Sequence, residues 1–144
     1  MSLSCVHSGA LAGVDTLSVE VEVNAADGSN PDIKLVGLPD AAVRESVDRV
    51  TTAIKNSGLG WPRKMITINL APADIRKEGP SFDLPIALGM ASLEPDRNGA
   101  LQEGALEKCS VAGELALDGR VRSIKGILPL TLRAKEEGKA AILV

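Results

Sequence analysis

Few side chains of this chain could carry out nucleophilic or acid–base chemistry. His7 is the only histidine, which excludes a His-dependent triad and a multi-histidine metal site within the 144 residues. Without histidine, a serine attacks an amide only when another base takes its proton. A lysine becomes such a base when burial lowers its pKa. A serine paired with a lysine is therefore the nucleophilic arrangement to consider.

The remaining reactive side chains have simpler structural interpretations. Glu20 and Glu22 fall on one side of an alternating segment, where paired carboxylates could perform acid–base work but more simply form the solvated face of a strand. Cys5 and Cys109 lie far apart and lack nearby basic residues that would lower a thiol pKa. We expect both to be free, unreactive thiols in a reducing cytoplasm.

Nucleotide binding would require a loop of the form G-x-x-x-x-G-K-[ST], whose backbone N–H groups surround the phosphates. No segment of the chain has this pattern. Residues 58–64 have the composition but not the spacing, and Pro62 removes a backbone donor. We therefore predict a helix-to-strand connection there, and no cofactor or metal bound by this chain.

A basic segment stands out against the acidic balance of the chain. The net charge is −3 and the pI is about 5.2, which is the wrong sign for a dedicated nucleic-acid module. Between positions 119 and 135, however, there are basic residues and no acidic one, and such a concentration can contact phosphates. A DNA contact surface and a solvated basic face both remain open. The candidates are Arg120, Arg122, Lys125, Arg133 and Lys135.

Length and composition predict one domain with an aliphatic core. Of the 144 residues, 44% are hydrophobic and 24% are charged, with one tryptophan, one phenylalanine and no tyrosine. So few rings weaken any base-stacking platform. No apolar run approaches the roughly 18 residues of a membrane span. We expect residues 1–3 to be a cloning scar, and residues 4–144 to form a cytoplasmic domain without a membrane partner.

Hydrophobic periodicity predicts how these residues are positioned. Residues 17–23 alternate at every position, and shorter strands at 5–11 and 32–36 would complete an antiparallel meander. A helix is predicted from an N-cap at Asp40 to Gly58, followed by a strand at 65–70. Helices at 83–93 and 127–137, a hairpin at 110–121 and a strand at 140–144 complete an α+β fold of six to eight strands and three helices. A core strand at the last residue suggests a fragment of a longer protein.

Several segments resemble known families. Residues 76–85, with the sequence RKEGPSFDLP, and residues 111–121, with VAGELALDGRV, are similar to the proteolytic domain of Lon proteases. Residues 69–74 leading into 79–87, together with LAGVD at 11–15 and VGLPD at 36–40, look most like the N-terminal domain of magnesium-chelatase-like AAA+ ATPases, the competence protein ComM group. The resemblance covers nearly the whole chain, from about Cys5 to Val144.

The resemblance implies a fold like that of ribosomal protein S5 domain 2 and of the Lon proteolytic domain. In the Lon pattern Ser81 would be the nucleophile, but the position of its lysine base falls on Leu128. Lys125 lies three residues earlier and would need a different approach to Ser81. We therefore expect a degenerate pair, with Ser81 or Asp83 capping the helix that follows.

For the whole protein, the resemblance implies a hexameric AAA+ ATPase that works on DNA, in branch migration or competence-related uptake. ATP and magnesium would then be bound by an AAA+ module outside this chain. The chain is predicted to be a non-catalytic N-terminal module that assists hexamer assembly, DNA contact or both, with its own AAA+ module as a partner. The alternatives are a Ser–Lys peptidase using Ser81 and Lys125, and a purely structural oligomerisation module.

Overall fold

The structure is a computed structural model that describes residues 2–60, 64–93 and 104–144. It is an α+β fold with a mixed six-stranded sheet and a separate two-stranded sheet. The elements are β1 (Ser2–Ala12), β2 (Asp15–Ala26), β3 (Asp32–Val36), α1 (Ala41–Asn56), β4 (Met65–Ala71), α2 (Asp83–Ala91), a 3-10 helix (Ala105–Lys108), β5 (Cys109–Val111), β6 (Glu114–Leu115), β7 (Val121–Arg122), α3 (Ile127–Glu136) and β8 (Ala141–Leu143). The large sheet has the strand order β3-β4-β2-β1-β5-β8, and β6 and β7 form the small sheet.

A long antiparallel hairpin of β1 and β2 forms the middle of the large sheet. The alternation at residues 17–23 is confirmed, because Val19, Val21 and Val23 are buried while Glu20 is exposed. The buried face of the hairpin packs against α2, where a Cβ at Gly89 would meet Val23. One face of the sheet therefore carries the main core.

One strand pairing differs from the sequence prediction, and one is confirmed within narrower bounds. β3 does not extend an antiparallel meander but pairs in parallel with β4, which lies between β3 and β2. The hairpin predicted at 110–121 is confirmed around Asp118 and Gly119, where β6 and β7 pair in antiparallel fashion, but its first residues belong to β5, which joins the large sheet. The error at β3 concerns a partner that is distant in sequence. β3 is thus an edge strand, where the Asp32 carboxylate accepts a hydrogen bond from the Ile33 N–H at 2.9 Å.

α3 packs on the opposite face of the sheet from α2. Gly9 points to this face, and a Cβ there would lie 2.8 Å from the Leu130 side chain. Leu130 and Ala134 are the buried residues of α3. The absence of a side chain at Gly9 therefore allows the helix to lie close to β1.

Helix starts are stabilised differently in α1 and α2. The predicted N-cap of α1 is confirmed, since Asp40 Oδ1 accepts a hydrogen bond from the Val43 N–H at 2.7 Å. The predicted cap of α2 is wrong, because α2 follows Phe82 and no side chain caps it. The carboxylate of Asp83 is instead occupied by other partners, and Ser81 lies before the helix.

The Asp83 carboxylate is fully buried and binds three segments together. It accepts two hydrogen bonds from Arg49 of α1, at 2.7 and 3.1 Å, and one from the Leu115 N–H of β6 at 3.0 Å. Arg49 also donates to the Ala42 carbonyl oxygen and to Ser46. The hydrogen bond to Asp83 raises the pKa of Arg49. This bidentate pair fixes α1 against α2 and the small sheet.

We expect Asp83→Ala to lower the free energy of unfolding by about 3 kcal/mol, because it leaves a half-buried guanidinium and a buried N–H without their partner. Urea denaturation measures the change. The matched control is Asp118→Ala, whose carboxylate pairs with Arg120 at the surface and whose loss should leave the midpoint nearly unchanged. Equal effects of the two substitutions would contradict the role assigned to Asp83.

Candidate functional site

A cavity of about 620 Å³ opens where β5 separates from β1. The two strands pair at His7 and Ser110. Beyond that point the Ala112 N–H is donated to Leu143 and the Gly113 N–H to the carbonyl oxygen of Ser81. The chain after β5 thus turns towards the start of α2 instead of continuing beside β1.

Segments from five parts of the chain line this cavity. They are the end of β1, the N-cap of α1, the loop before α2, the small sheet with its connection to α3, and α3 itself. The lining combines apolar walls with carboxylates, hydroxyl groups and one ammonium group. The lining residues are Gly9, Ala10, Leu11, Asp40, Glu78, Gly79, Pro80, Ser81, Glu114, Ser123, Ile124, Lys125 and Leu130.

Ser81 and Lys125 both lie on the wall of this cavity. The structure therefore brings together the serine and lysine considered as a degenerate pair. Within the described residues, no hydrogen bond joins them. A lysine acts as a base near neutral pH when burial removes the water around its ammonium group, whereas Lys125 is exposed. Leu128, at the position that the Lon pattern gives to the base, is 69% exposed.

Lys77 is a buried residue whose role sequence reasoning missed. Its ammonium group donates hydrogen bonds to the carbonyl oxygens of Gly37, at 2.8 Å, and Pro72. Its backbone bridges to Pro39, with its N–H donated to Leu38. Burial lowers the pKa of Lys77, and the nearby charge of Asp74 partly opposes this shift.

These contacts position the loop that carries Ser81. The Asp40 N–H is donated to the Lys77 carbonyl oxygen at 3.0 Å, and the Gly79 N–H reaches the Asp40 carboxylate at 3.4 Å. Gly37 is required beneath the loop, because its φ is 107° and a Cβ would lie 2.2 Å from the Leu70 carbonyl oxygen. Lys77 lies between Arg76 and Glu78 in the sequence, and a lysine in such a charged segment is ordinarily solvated. Its burial therefore could not be predicted from the sequence.

The basic segment is less positive than its sequence predicted. Arg120 pairs with Asp118 at 2.7 Å, and Arg133 pairs with Glu137 at 2.9 Å. Arg122, Lys125 and Lys135 are exposed, and within the described ranges none of the three has an ion-pair partner. Two of the five candidates are therefore already neutralised by neighbours that lie just outside the segment.

The face of the sheet on which α3 packs also holds the other candidate residues. Strand register places Cys5 beside Glu22 and His7 beside Glu20. Glu22 accepts a hydrogen bond from Asn69 at 2.8 Å. Burial and the two carboxylates raise the pKa of Cys5, which opposes thiolate formation.

Both cysteines are free thiols, as predicted. Among the residues that the structure describes, no group of three or more His, Cys, Asp or Glu side chains could hold a metal ion.

Two further points concern the sequence predictions. Gly58 follows α1 with a φ of 73°, but the predicted connection at 58–64 falls partly outside the described residues. No helix in the described ranges is both long and apolar enough to cross a membrane.

Lys77→Met should lower the free energy of unfolding at neutral pH by about 1–3 kcal/mol, because the carbonyl oxygens of Gly37 and Pro72 lose their donor. The pKa of Lys77 is lower in the folded protein than in the unfolded chain, so the unfolded chain binds more protons between the two values. The stability of the parent relative to Lys77→Met should therefore rise with pH towards 10.5, the ordinary lysine value.

Urea denaturation from neutral pH to about pH 10.5 tests this dependence, with exposed Arg76→Met as the control variant. The control should show no such rise. A difference between parent and Lys77→Met that falls as the pH increases would contradict the assigned burial.

Comparison with known proteins supports the resemblance. The family described as subunit ChlI of Mg-chelatase matches residues 21–144. The chain is 42% identical over 143 residues to the uncharacterized protein YifB of Escherichia coli, and 41% identical over 143 residues to competence protein ComM of Haemophilus influenzae. Each alignment covers 99% of this chain and 27% of the relative, so the chain spans about a quarter of these proteins' length.

Lon proteases are more distant relatives. The chain is 28% identical over 138 residues to Lon protease of Endomicrobium trichonymphae, an alignment that covers 91% of this chain and 16% of the relative. This similarity agrees with the observed α+β fold. Since the ChlI description matches most of the chain, and the similarity to ComM and YifB extends over nearly all of it, the chain belongs to the magnesium-chelatase ChlI family.

Proposed function

We propose that this chain is a non-catalytic module of a longer, ATP-driven magnesium-chelatase-like protein, in which it assists hexamer assembly and contacts DNA. The relatives are nearly four times longer than the aligned segment, and the chain itself lacks a phosphate-binding loop. In this proposal, ATP and magnesium bind in an AAA+ module outside these residues. The free thiols Cys5 and Cys109 fit a location in the reducing cytoplasm.

The outer face of α3 carries this proposal. Leu128 and Leu132 lie one turn apart on that face, 69% and 53% exposed, while Leu130 and Ala134 face the sheet. Isolated exposed leucines are common, but two on one helical stripe form a continuous apolar surface. At the position where a Lon-type base would be required, the helix therefore presents a surface suited to a neighbouring subunit or to the AAA+ module.

Contact with DNA rests on exposed cations in the same helix and in the segment before it. Arg122, Lys125 and Lys135 carry no ion-pair partner within the described residues, so their charges are available to phosphates. The name of the ComM relative refers to competence. In a ring, the weak DNA contacts of several copies would act together and raise the overall affinity for DNA. The activity that we propose for the longer protein is DNA branch migration or competence-related DNA processing.

The Ser–Lys peptidase is the second candidate because Ser81 and Lys125 line one cavity. We favour the non-catalytic module because Lys125 is exposed and Leu128 occupies the expected position of the base. A nucleophilic serine without a positioned base is a weak nucleophile. The third candidate, a purely structural oligomerisation module, differs from our proposal only in lacking DNA contact.

Ser81→Ala should leave the free energy of unfolding within about 0.5 kcal/mol of the parent, because the Ser81 hydroxyl caps no helix. The parent should not react with a fluorophosphonate probe. Urea denaturation and mass-spectrometric labelling of the two proteins measure both expectations. Stoichiometric labelling that is lost in Ser81→Ala and in Lys125→Met would instead favour the peptidase.

Replacing Leu128 and Leu132 by serine in the longer protein should shift its sedimentation towards smaller assemblies, because the apolar contact is lost. The same change in the 144-residue chain should alter the free energy of unfolding by less than about 0.5 kcal/mol, since both side chains are exposed. Leu117→Ser, at an exposed turn, is the matched control. Unchanged assembly of the double variant would contradict docking through α3.

Replacing Arg122, Lys125 and Lys135 by glutamate should weaken DNA binding of the longer protein and flatten its salt dependence. The logarithm of the affinity falls with the logarithm of salt by roughly 0.9 per neutralised phosphate. Fluorescence anisotropy at several salt concentrations measures the slope, with Arg44→Glu on the exposed side of α1 as control. Equal slopes for parent and triple variant would favour the purely structural module.

A further inference from the structure

We propose that the turn at Leu38 is a contact surface for a second copy of this chain in the longer protein, and that it receives the outer face of α3 from that copy. This contact rests on the proposed assembly through α3 and names the surface against which α3 packs. Three features carry it: the strained backbone of Leu38, the buried lysine that holds this backbone, and the place of the turn in the sheet.

Leu38 presents an apolar side chain from a strained backbone. Its φ is 55°, in the left-handed region that a bulky residue rarely adopts, and no other non-glycine residue within the described ranges has a positive φ. Burial of the side chain does not explain this conformation, because Leu38 is 52% exposed. A strained residue that folding does not require is characteristic of functional surfaces.

The buried residue Lys77 holds the turn in this conformation. Its N–H is donated to the Leu38 carbonyl oxygen at 3.0 Å, and its ammonium group donates to the carbonyl oxygens of Gly37 and Pro72. Lys77 is fully buried, so the turn cannot change shape without leaving a buried charge short of partners. Leu38 is therefore presented by a rigid backbone, which reduces the entropy lost when a partner binds.

Apolar residues of two adjacent loops form the surface around Leu38. Val36, at the end of β3, is 45% exposed, and Pro72, which follows β4, is also exposed. We call these three residues the Leu38 surface. Its rim carries charges of both signs, among them Lys34 and Asp74, so apolar contact and not charge must carry the interaction.

The geometry of a ring requires a second surface besides α3. In a ring of identical chains every interface joins two different surfaces, so each copy must present both. The outer face of α3, with Leu128 and Leu132, is one of them, and it points away from β1 and β2. The Leu38 surface lies at the β3 edge, beyond β4. One copy cannot bring its own turn onto its own outer helix face, whereas two copies can meet in this way.

The small size of the Leu38 surface indicates where the contact operates. Stable interfaces between independent proteins bury about 1,200 Å² or more, which a few apolar side chains on each partner do not reach. In the longer protein, the other modules also hold neighbouring copies together, and the contact then acts at a high effective concentration. It is therefore expected in the assembled longer protein.

Leu38→Asn separates assembly from folding. Asparagine is close to leucine in size and adopts the left-handed region more readily, so the urea midpoint of the 144-residue chain should not fall. In the longer protein the same change should shift sedimentation towards smaller assemblies, because the apolar contact is lost. Leu38→Met keeps an apolar side chain and is the matched control, which should assemble like the parent.

Two results of this experiment would overturn the proposal. One is a clearly lower urea midpoint for Leu38→Asn, which would assign the leucine to folding. The other is unchanged assembly of Leu38→Asn. If replacement of Leu128 and Leu132 still disrupts assembly in that case, only the Leu38 contact fails. If the parent does not assemble at all, both this contact and the proposed assembly fail.

Cysteine cross-linking identifies the occupant of the surface. In the longer protein with its other cysteines replaced by serine, Leu38→Cys and Leu132→Cys on one chain should give a ladder of disulfide-linked copies up to the hexamer, with copper phenanthroline as oxidant. Leu117→Cys in place of Leu38→Cys is the control and should give no ladder. An equal ladder with the control would overturn the proposal. An assembled protein that forms no ladder would also overturn it, and would indicate that the AAA+ module covers the turn.

Discussion

The buried carboxylate of Asp83 is the group on which the arrangement of this domain depends. A carboxylate in the interior is costly unless its hydrogen bonds are complete, and Asp83 obtains them from α1 and from the small sheet. Three segments that are far apart in sequence must therefore meet at one anion. Ser81 lies two residues before Asp83, and Glu114 lies directly before Leu115. The hydrogen bond between Asp83 and Leu115 therefore also positions two walls of the cavity.

Local features of the fold could be predicted from the sequence because their causes are local. The alternation at residues 17–23 identifies the buried face of β2, and Asp40 caps α1 with its own side chain. The position of β3 could not be predicted, because parallel pairing with β4 depends on a connection that includes the whole of α1. The prediction that Ser81 or Asp83 caps α2 was wrong for a similar reason. An acidic residue at a helix start has the same local pattern whether it caps the helix or binds a distant arginine, as Asp83 does.

The candidate site was predictable in its residues but not in its shape. Ser81, Lys125 and the displaced position at Leu128 follow from the resemblance to Lon proteases, and the structure places the first two around one cavity. The cavity itself arises because Gly113 bonds to Ser81 instead of extending β5, which no sequence pattern indicated. Lys77 was missed because a lysine in a polar loop is normally solvated, while here backbone oxygens replace its water.

The side-chain hydrogen bond at the start of β3 has a consequence for how the domain behaves at high concentration. An edge strand exposes N–H groups on which a second chain can assemble, and sheets with open edges are prone to aggregate in this way. Because the Asp32 carboxylate occupies the Ile33 N–H, that donor is unavailable to an incoming strand. A negative charge is also held at the same edge, so a foreign strand would meet both a missing donor and an unfavourable desolvation. One aspartate thus makes the β3 edge of the sheet less able to accept a further strand.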